Sequence, residues 1–287
     1  MAPDMVTVPR SLLSPRYAWR VLVTTGEKFL EHDCFTYSAA LAFYFLMALF
    51  PFLVFLASTF AYLPVPHLFD RVVRIMDRIV PPEGMRVVHY VLAATLHKNK
   101  TLLSAGFLGA LWAAAAGFHS TASALNKAYE VKETRSFLKR RLLALAFTCL
   151  LGGMGVVAMT AIALGPHFGF WLTGKLGLRA GFALVWPSLR WAIIMTFTAL
   201  AIGLLYLAGP NVRVRFRTQV PGALLAVAAW LCASGGLGWY FRSVAHFNKM
   251  YGALGAVIAL MLWFYVSAVA ILAGAELNAE LIRRGAK

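Results

Sequence analysis

Long apolar runs alternate with short polar ones along this chain. Stretches with almost no charge cover residues 34–63, 101–126, 142–164, 182–208, 218–240 and 251–275. Each meets the roughly 20 apolar residues that a helix needs to cross a hydrocarbon core about 30 Å thick. In lipid every backbone N–H and C=O must find a partner inside its own segment, so spans of this kind are helices rather than strands. The pattern predicts an all-α integral membrane protein with six transmembrane helices. A segment at 1–33 precedes them and a tail at 276–287 follows.

The first run raises a question of its own. FTYSAALAFYFLMALFPF, residues 35–52, ends on Pro51 and one further phenylalanine. A proline inside a helix removes one hydrogen bond and clashes with the preceding turn. No charge occurs from Cys34 to Phe69, which at 1.5 Å per residue is more than a straight span requires. The helix must therefore tilt, bend or extend past the bilayer. Pro51 is the expected bend, with neighbouring helices satisfying the carbonyl of Met47. Tyr37, Tyr44 and Pro51 recur every seven residues, so they share a face that is expected to point into the bundle.

The connection after this run is long enough to hold structure. Apolar residues at 68, 72, 75, 76 and 79 fall on one helical face, opposite Asp70, Arg71, Arg74, Asp77 and Arg78. After PPEG at 81–84 a weaker version follows at 85–96. Two short amphipathic extracytoplasmic helices are expected, lying on the membrane surface or capping the bundle. The spans show no internal repeat, so the usual inverted-repeat transporter is not supported.

Composition fits this reading. The chain has 287 residues, 61% hydrophobic and 13% charged, where soluble domains average about 25% charged. Cys34, Cys149 and Cys232 lie in apolar runs and are odd in number; they are expected to be reduced and buried. No cleavable leader is apparent, so the first span is expected to serve as its own insertion signal.

The net charge of +16 changes the picture more. Basic residues lie between the apolar runs, not in one block. They concentrate at 127–141, at Arg213, Arg215 and Arg217, and in the tail, and they are sparser at 165–181 and 241–250. By the positive-inside rule both termini are cytoplasmic. Arg135, Arg140, Arg141, Arg213 and Arg215 are candidate contacts for anionic lipid headgroups. Membrane lipids are the expected partners, nucleic acid is not, and self-association is left open.

Polar residues within the spans are few. Ala105, Gly109, Ala113 and Gly117 form a small-residue stripe suited to close helix packing. His119 and Asn126 follow on the same helix. His119 reads either as a hydrogen bond to a neighbouring helix or as part of a polar pathway. Arg190 lies among Trp171, Trp186 and Trp191, so it reads either as an interfacial arginine snorkelling outward or as an anion-attracting site. Asp33 opens the first span. Glu276 and Glu280 close the last, four residues apart on one face and within reach of Arg283 and Arg284. These acids read either as an ion-pair belt with the basic connections or as a gate, or a proton- or cation-linked site, that opens when these pairs break.

Several stretches together resemble one family. Asp33 followed by SAALAFYFLMALFP (38–51) and the closing YGALGAVIALMLWFYVSAVAILAGAELNAEL (251–281) resemble the two signatures of the YihY/BrkB family of bacterial inner-membrane proteins. LNKAYEVKETRSFLKRR (125–141) and LYLAGPNVRVRFRTQVPGALLAVAAW (205–230) match in order and spacing. Phe43 stands where the family often has a second tyrosine, and Ala48 where it often has serine. The resemblance covers residues 25–283 and implies six spans with cytoplasmic termini. Members have been linked to serum resistance and envelope lipid transport, and some carry an older label of ribonuclease BN. A metal-dependent nuclease needs clustered histidine and carboxylate ligands, and the seven histidines are dispersed. No phosphate-cradling GxxxxGK[ST] occurs. The expectation is a non-enzymatic transporter of lipids or amphiphilic anions, without metal or cofactor. Asp33, Tyr37, Tyr44, Pro51, His119, Asn126, Arg190, Glu276 and Glu280 are expected to line or gate the path. The alternatives are a non-transporting scaffold and, least supported, a membrane ribonuclease.

Overall fold

A computed structural model of the chain describes residues 15–62, 73–74, 77, 85, 89–90, 100–150, 153–154, 179–243 and 253–285. The helices run in the order α1 (Pro15–Glu31), α2 (Cys34–Tyr62), α3 (Lys100–Ala128), α4 (from residue 137, described through 150), α5 (Arg179–Ala208), α6 (Phe216–Ser243) and α7 (Ala253–Gly285). Among the described residues there is no strand. Four described helices hold segments long and apolar enough to cross a membrane: Cys34–Phe55, Trp191–Ala208, Phe216–Phe241 and Gly255–Gly285. The amphipathic connection at 68–96, apart from a few single positions, and most of the run at 142–164 lie outside the described residues.

Helix α1 is not part of the apolar set. It is amphipathic, with Val21 and Phe29 buried and Trp19, Leu22 and Leu30 exposed. It packs on α7 and, less extensively, on α2.

Among the described residues helices α2 and α3 pack most extensively. Helix α2 runs through Pro51 without a break, and α3 supplies the space it needs. A Cβ on Gly106 would lie 2.7 Å from the backbone nitrogen of Phe55, and one on Gly109 would lie 3.1 Å from the Pro51 ring. A Cβ on Gly117 would meet Tyr44 at 3.6 Å. The small-residue face therefore exists, but its register is shifted. Gly106 is buried in it, whereas Ala105 is exposed.

Helices α6 and α7 cross just as closely at Gly222 and Gly274. A Cβ on either would overlap the other's carbonyl oxygen. The main core lies where α2, α3, α5, α6 and α7 converge, around Leu41, Leu125, Tyr206, Ala223 and Leu272. Tyr206 is fully buried there, and its hydroxyl donates to the Ile271 carbonyl at 2.5 Å. A second cluster joins Phe118 and Ala122 of α3 to Ala144 and Phe147 of α4.

Candidate functional site

Polar side chains gather at one end of the bundle. There α1 turns into α2, α3 ends, α5 passes into α6, and α7 finishes. This end also carries Lys127, Lys132, Arg135, Lys139, Arg213, Arg215, Arg283 and Arg284.

The α1–α2 corner is made at Asp33, whose φ of 55° is a left-handed conformation. Aspartate tolerates it better than most residues. Asp33 is fixed by Lys127 Nζ at 2.8 Å, and hydrogen bonding to that ammonium holds its carboxyl below the usual range. The corner aims His32 and Cys34 at α7. His32 Nδ1 lies 2.7 Å from Glu276 Oε1, and the Cys34 thiol donates to the same oxygen at 3.5 Å. Glu276 is 0% exposed, and its Oε2 has no hydrogen-bond partner among the described residues.

The other face of the imidazole looks outward. His32 Nε2 lies 3.6 Å from Glu130 Oε1, and the Glu130 side chain is 47% exposed. That oxygen also meets Lys28 Nζ and Arg283 Nη1, each at 3.1 Å. Hydrogen bonding from Lys28, with the field of Arg283, holds the Glu130 carboxyl below its ordinary range. Glu280 takes Arg283 Nε at 3.3 Å and Arg284 Nε at 2.5 Å, and Arg284 Nη2 reaches back to Thr24 Oγ1 at 2.9 Å. Helix α1 is thus fastened to the end of α7 by a chain of charged contacts.

Two further polar clusters hold the connections. Asn126 donates to Glu133 Oε2 at 2.9 Å, and its carbonyl oxygen accepts from the Asn211 backbone at 2.6 Å. Arg135 grips Glu133 with Nε at 2.9 Å and Nη2 at 2.8 Å, then donates to the carbonyls of Ala208 and Gly209. The Arg135 guanidinium holds Glu133 down to about 2. In the second cluster, buried Asn278 accepts from Gly222 N at 2.7 Å and donates to Gln219 O at 3.0 Å. The Tyr129 hydroxyl donates to Gln219 Oε1 at 2.5 Å, and burial pushes Tyr129 above the usual phenol range.

Away from this end, a cleft of about 510 Å³ lies between α2, α3, α4 and α7. Ala48, Phe52, Phe107, Ala114, Cys149 and Phe264 line it. The Thr148 hydroxyl, also in the lining, is turned away to the Ala144 carbonyl at 2.8 Å. Beyond the Cys149 thiol, the cleft thus offers apolar surface and no free polar side chain. Among the described residues no group of three or more His, Cys, Asp or Glu could hold a metal ion.

These placements regroup the residues singled out in the sequence. Asp33, Glu276 and Glu280 stand together at the polar end. Tyr37 packs against the main core beside them, with Lys127 over its ring at 5.9 Å. Tyr44 and Pro51 face α3. Asn126 is a loop clamp, and His119 is exposed on α3. The Arg190 side chain lies outside the described residues. Of the acids, Asp33 pairs with the basic connection, at Lys127, whereas Glu276 meets His32 and Glu280 pairs within its own helix, so the acids at the end of α7 form an α1–α7 joint. Arg135 is committed to Glu133 and backbone carbonyls. Arg140 is half-buried, and Arg141 stacks 4.3 Å over the Trp112 ring. Arg213 and Arg215 are exposed. Of the cysteines only Cys34 is buried; Cys149, in the lining of the cleft, and Cys232 are exposed. His32, Glu130, Glu133, Gln219 and Asn278 are not picked out by the sequence pattern. The one local signal is a histidine directly before Asp33 and a charge-free run.

The family model described as Virulence factor BrkB matches residues 25–287. YfkH of Bacillus subtilis (strain 168), a protein named only as ribonuclease-like, is 33% identical over 259 residues, covering 90% of this chain and 94% of its own. A UPF0761 membrane protein of Alkalilimnicola ehrlichii is 28% identical, covering 89% of this chain and 57% of its own. Another, from Stenotrophomonas maltophilia (strain K279a), is 28% identical, covering 95% and 61%. The chain therefore spans about six-tenths of the length of those UPF0761 relatives. No solved structure matches. With the family model covering nearly the whole described bundle and both sequence signatures, the chain is a membrane protein of the BrkB virulence-factor family.

Proposed function

We propose that this protein moves lipids or similar amphiphilic anions within a bacterial inner membrane, as a six-span bundle with both termini in the cytoplasm. The observation that carries the reading is the apolar cleft between α2, α3, α4 and α7. Its volume of about 510 Å³ lies in the range of small-molecule sites, and its lining suits an acyl chain rather than a hydrophilic solute. Exposed Arg213 and Arg215 at the basic end suit an anionic headgroup. This cleft and the one between α5 and α6 are apolar, so the route is read as following the cleft, with the headgroup tracking the polar surface. No catalytic step is assigned.

Proteoliposomes containing fluorescent phosphatidylglycerol test this. Wild type is expected to equilibrate the lipid between leaflets faster than protein-free vesicles. Ala114→Trp, which fills the cleft, is expected to abolish the gain while remaining monodisperse and helical. Wild-type flux at the protein-free level sinks the proposal.

A scaffold reading draws on a different observation. The converging helices are closed by Tyr206 and by the Gly222–Gly274 crossing, as in a bundle that holds shape without opening. It requires flux at background in wild type together with retention of a bound membrane partner.

A further inference from the structure

We propose that Glu276 is a proton-binding site, loaded through His32 from the aqueous surface at the basic end. The carboxylate is sealed inside the bundle at 0% exposure, yet one side chain separates it from a surface carboxylate. His32 presents Nδ1 to Glu276 Oε1 at 2.7 Å and Nε2 to Glu130 Oε1 at 3.6 Å. An imidazole with one nitrogen on each of two acids is the arrangement of a proton shuttle, since each nitrogen can hold or release a proton.

The charged groups around the ring fit this role. On α1, Lys28 bridges Glu31 and Glu130. Asp33, at the corner, is occupied by Lys127. From α7, Arg283 reaches Glu130 and Glu280. Among the described residues the Glu276 carboxylate is met by His32 and the Cys34 thiol, and its Oε2 is left with no partner. The cations thus hold Glu130 as an anion at the mouth, while none of them makes a direct ion pair with the buried acid, which only the field of Arg283 reaches. An ionised carboxylate with a bare buried oxygen is expensive, and a proton removes that cost.

The transfer balances with no other reactant. In the starting state Nδ1–H donates to the Glu276 carboxylate. A proton from water at the Glu130 mouth adds to Nε2 and gives an imidazolium. The Nδ1–H bond then breaks as an O–H bond forms on Glu276. The result is a neutral acid, a neutral Nε2–H imidazole and one proton fewer in the water.

Proton loading is independent of lipid transport, so its test reads protons alone. Purified protein in phosphatidylglycerol nanodiscs is stepped between alkaline and acidic pH and followed by rapid-scan infrared difference spectroscopy. Wild type is expected to gain a protonated-carboxyl C=O band that Glu276→Gln loses. His32→Gln is expected to slow the appearance of that band about a hundredfold or more, the scale of a lost positioned proton carrier. Glu130→Gln, at an exposed position, is expected to slow it less. A wild type without a pH-dependent band, or a band that survives Glu276→Gln, overturns the site. Unchanged rates in His32→Gln overturn the relay, and if that variant does not fold, an unchanged rate in Glu130→Gln does so alone. Background lipid flux with the band intact would defeat the transport reading and leave this one standing.

Discussion

His32 and Glu276 stand 244 residues apart in the chain and 2.7 Å apart in the fold. Their contact pins the α1–α2 corner to the end of α7, and both side chains are buried. Removing one partner of such a pair leaves an uncompensated polar group inside, which typically costs about 3–5 kcal/mol. His32→Ala and Glu276→Ala are each expected to destabilise on that scale, with Glu276→Gln milder because it keeps an acceptor for Nδ1. The double variant His32→Ala with Glu276→Ala should cost less than the sum of the two singles, since the second change leaves no further buried group unpaired. Denaturant unfolding in detergent measures the cycle, and strictly additive losses would show that the two side chains are not coupled.

The crossing of α6 and α7 depends on having no Cβ at Gly222 or Gly274. Gly274→Ala would overlap the Gly222 carbonyl oxygen and crowd Ala226 at 3.0 Å. A cost of about 1–3 kcal/mol is expected from such overpacking. Gly235 is on α6 too, but a Cβ there meets nothing within 4 Å. Gly235→Ala is expected to be neutral or to stabilise by about 0.5–1 kcal/mol through helix propensity. Thermal unfolding of the two variants in one detergent separates packing from propensity, and equal midpoints would refute the close crossing.

Glu133 supplies a pH-dependent part of the stability. The Arg135 guanidinium holds it at about 2, against an ordinary 4.5. A carboxylate depressed in the folded state contributes fully above its ordinary value. The contribution is lost as pH falls from about 4.5 towards about 2. Glu133→Gln is expected to cost about 1–2 kcal/mol near neutrality, from weakened charge-assisted hydrogen bonds. The gap from wild type should narrow across that window and close below it. A gap constant from neutral to acidic pH would mean that the Arg135 grip contributes nothing.

The cysteines report on burial directly. Cys149 and Cys232 are exposed and Cys34 is buried. A membrane-soluble maleimide is expected to label the first two in the folded protein and Cys34 only on unfolding. Peptide mapping by mass spectrometry reads the order, and early labelling of Cys34 would contradict the Cys34–Glu276 contact.

Much of the bundle is legible in the order of residues alone. Helices α2, α5 and α6 begin and end within a few residues of the apolar runs that announce them, because helix length in lipid is set by bilayer thickness and backbone satisfaction. Close packing at Gly109 and Gly117 is legible for a similar reason, since a missing side chain marks where a backbone can approach. The participation of Gly106 is not, because the facing residue depends on how α2 is rotated and tilted around Pro51.

The polar end divides along the same line. Sequence alone determined that the scarce acids Asp33, Glu276 and Glu280 sit at the ends of apolar runs, since charges are expelled from them. It also determined that basic connections gather at one end, because that asymmetry is a property of the chain's order. Only the tertiary structure decided partners. Lys127 could have served any carboxylate at this end, and the left-handed turn at Asp33 gave it that one. Arg135 was free to face lipid until the α3–α4 connection folded it onto Glu133 and the Gly209 carbonyl. His32 looked like a dispersed histidine until the corner aimed it at α7. A side chain's partner is fixed by distances between helices remote in sequence, and no local pattern records those distances.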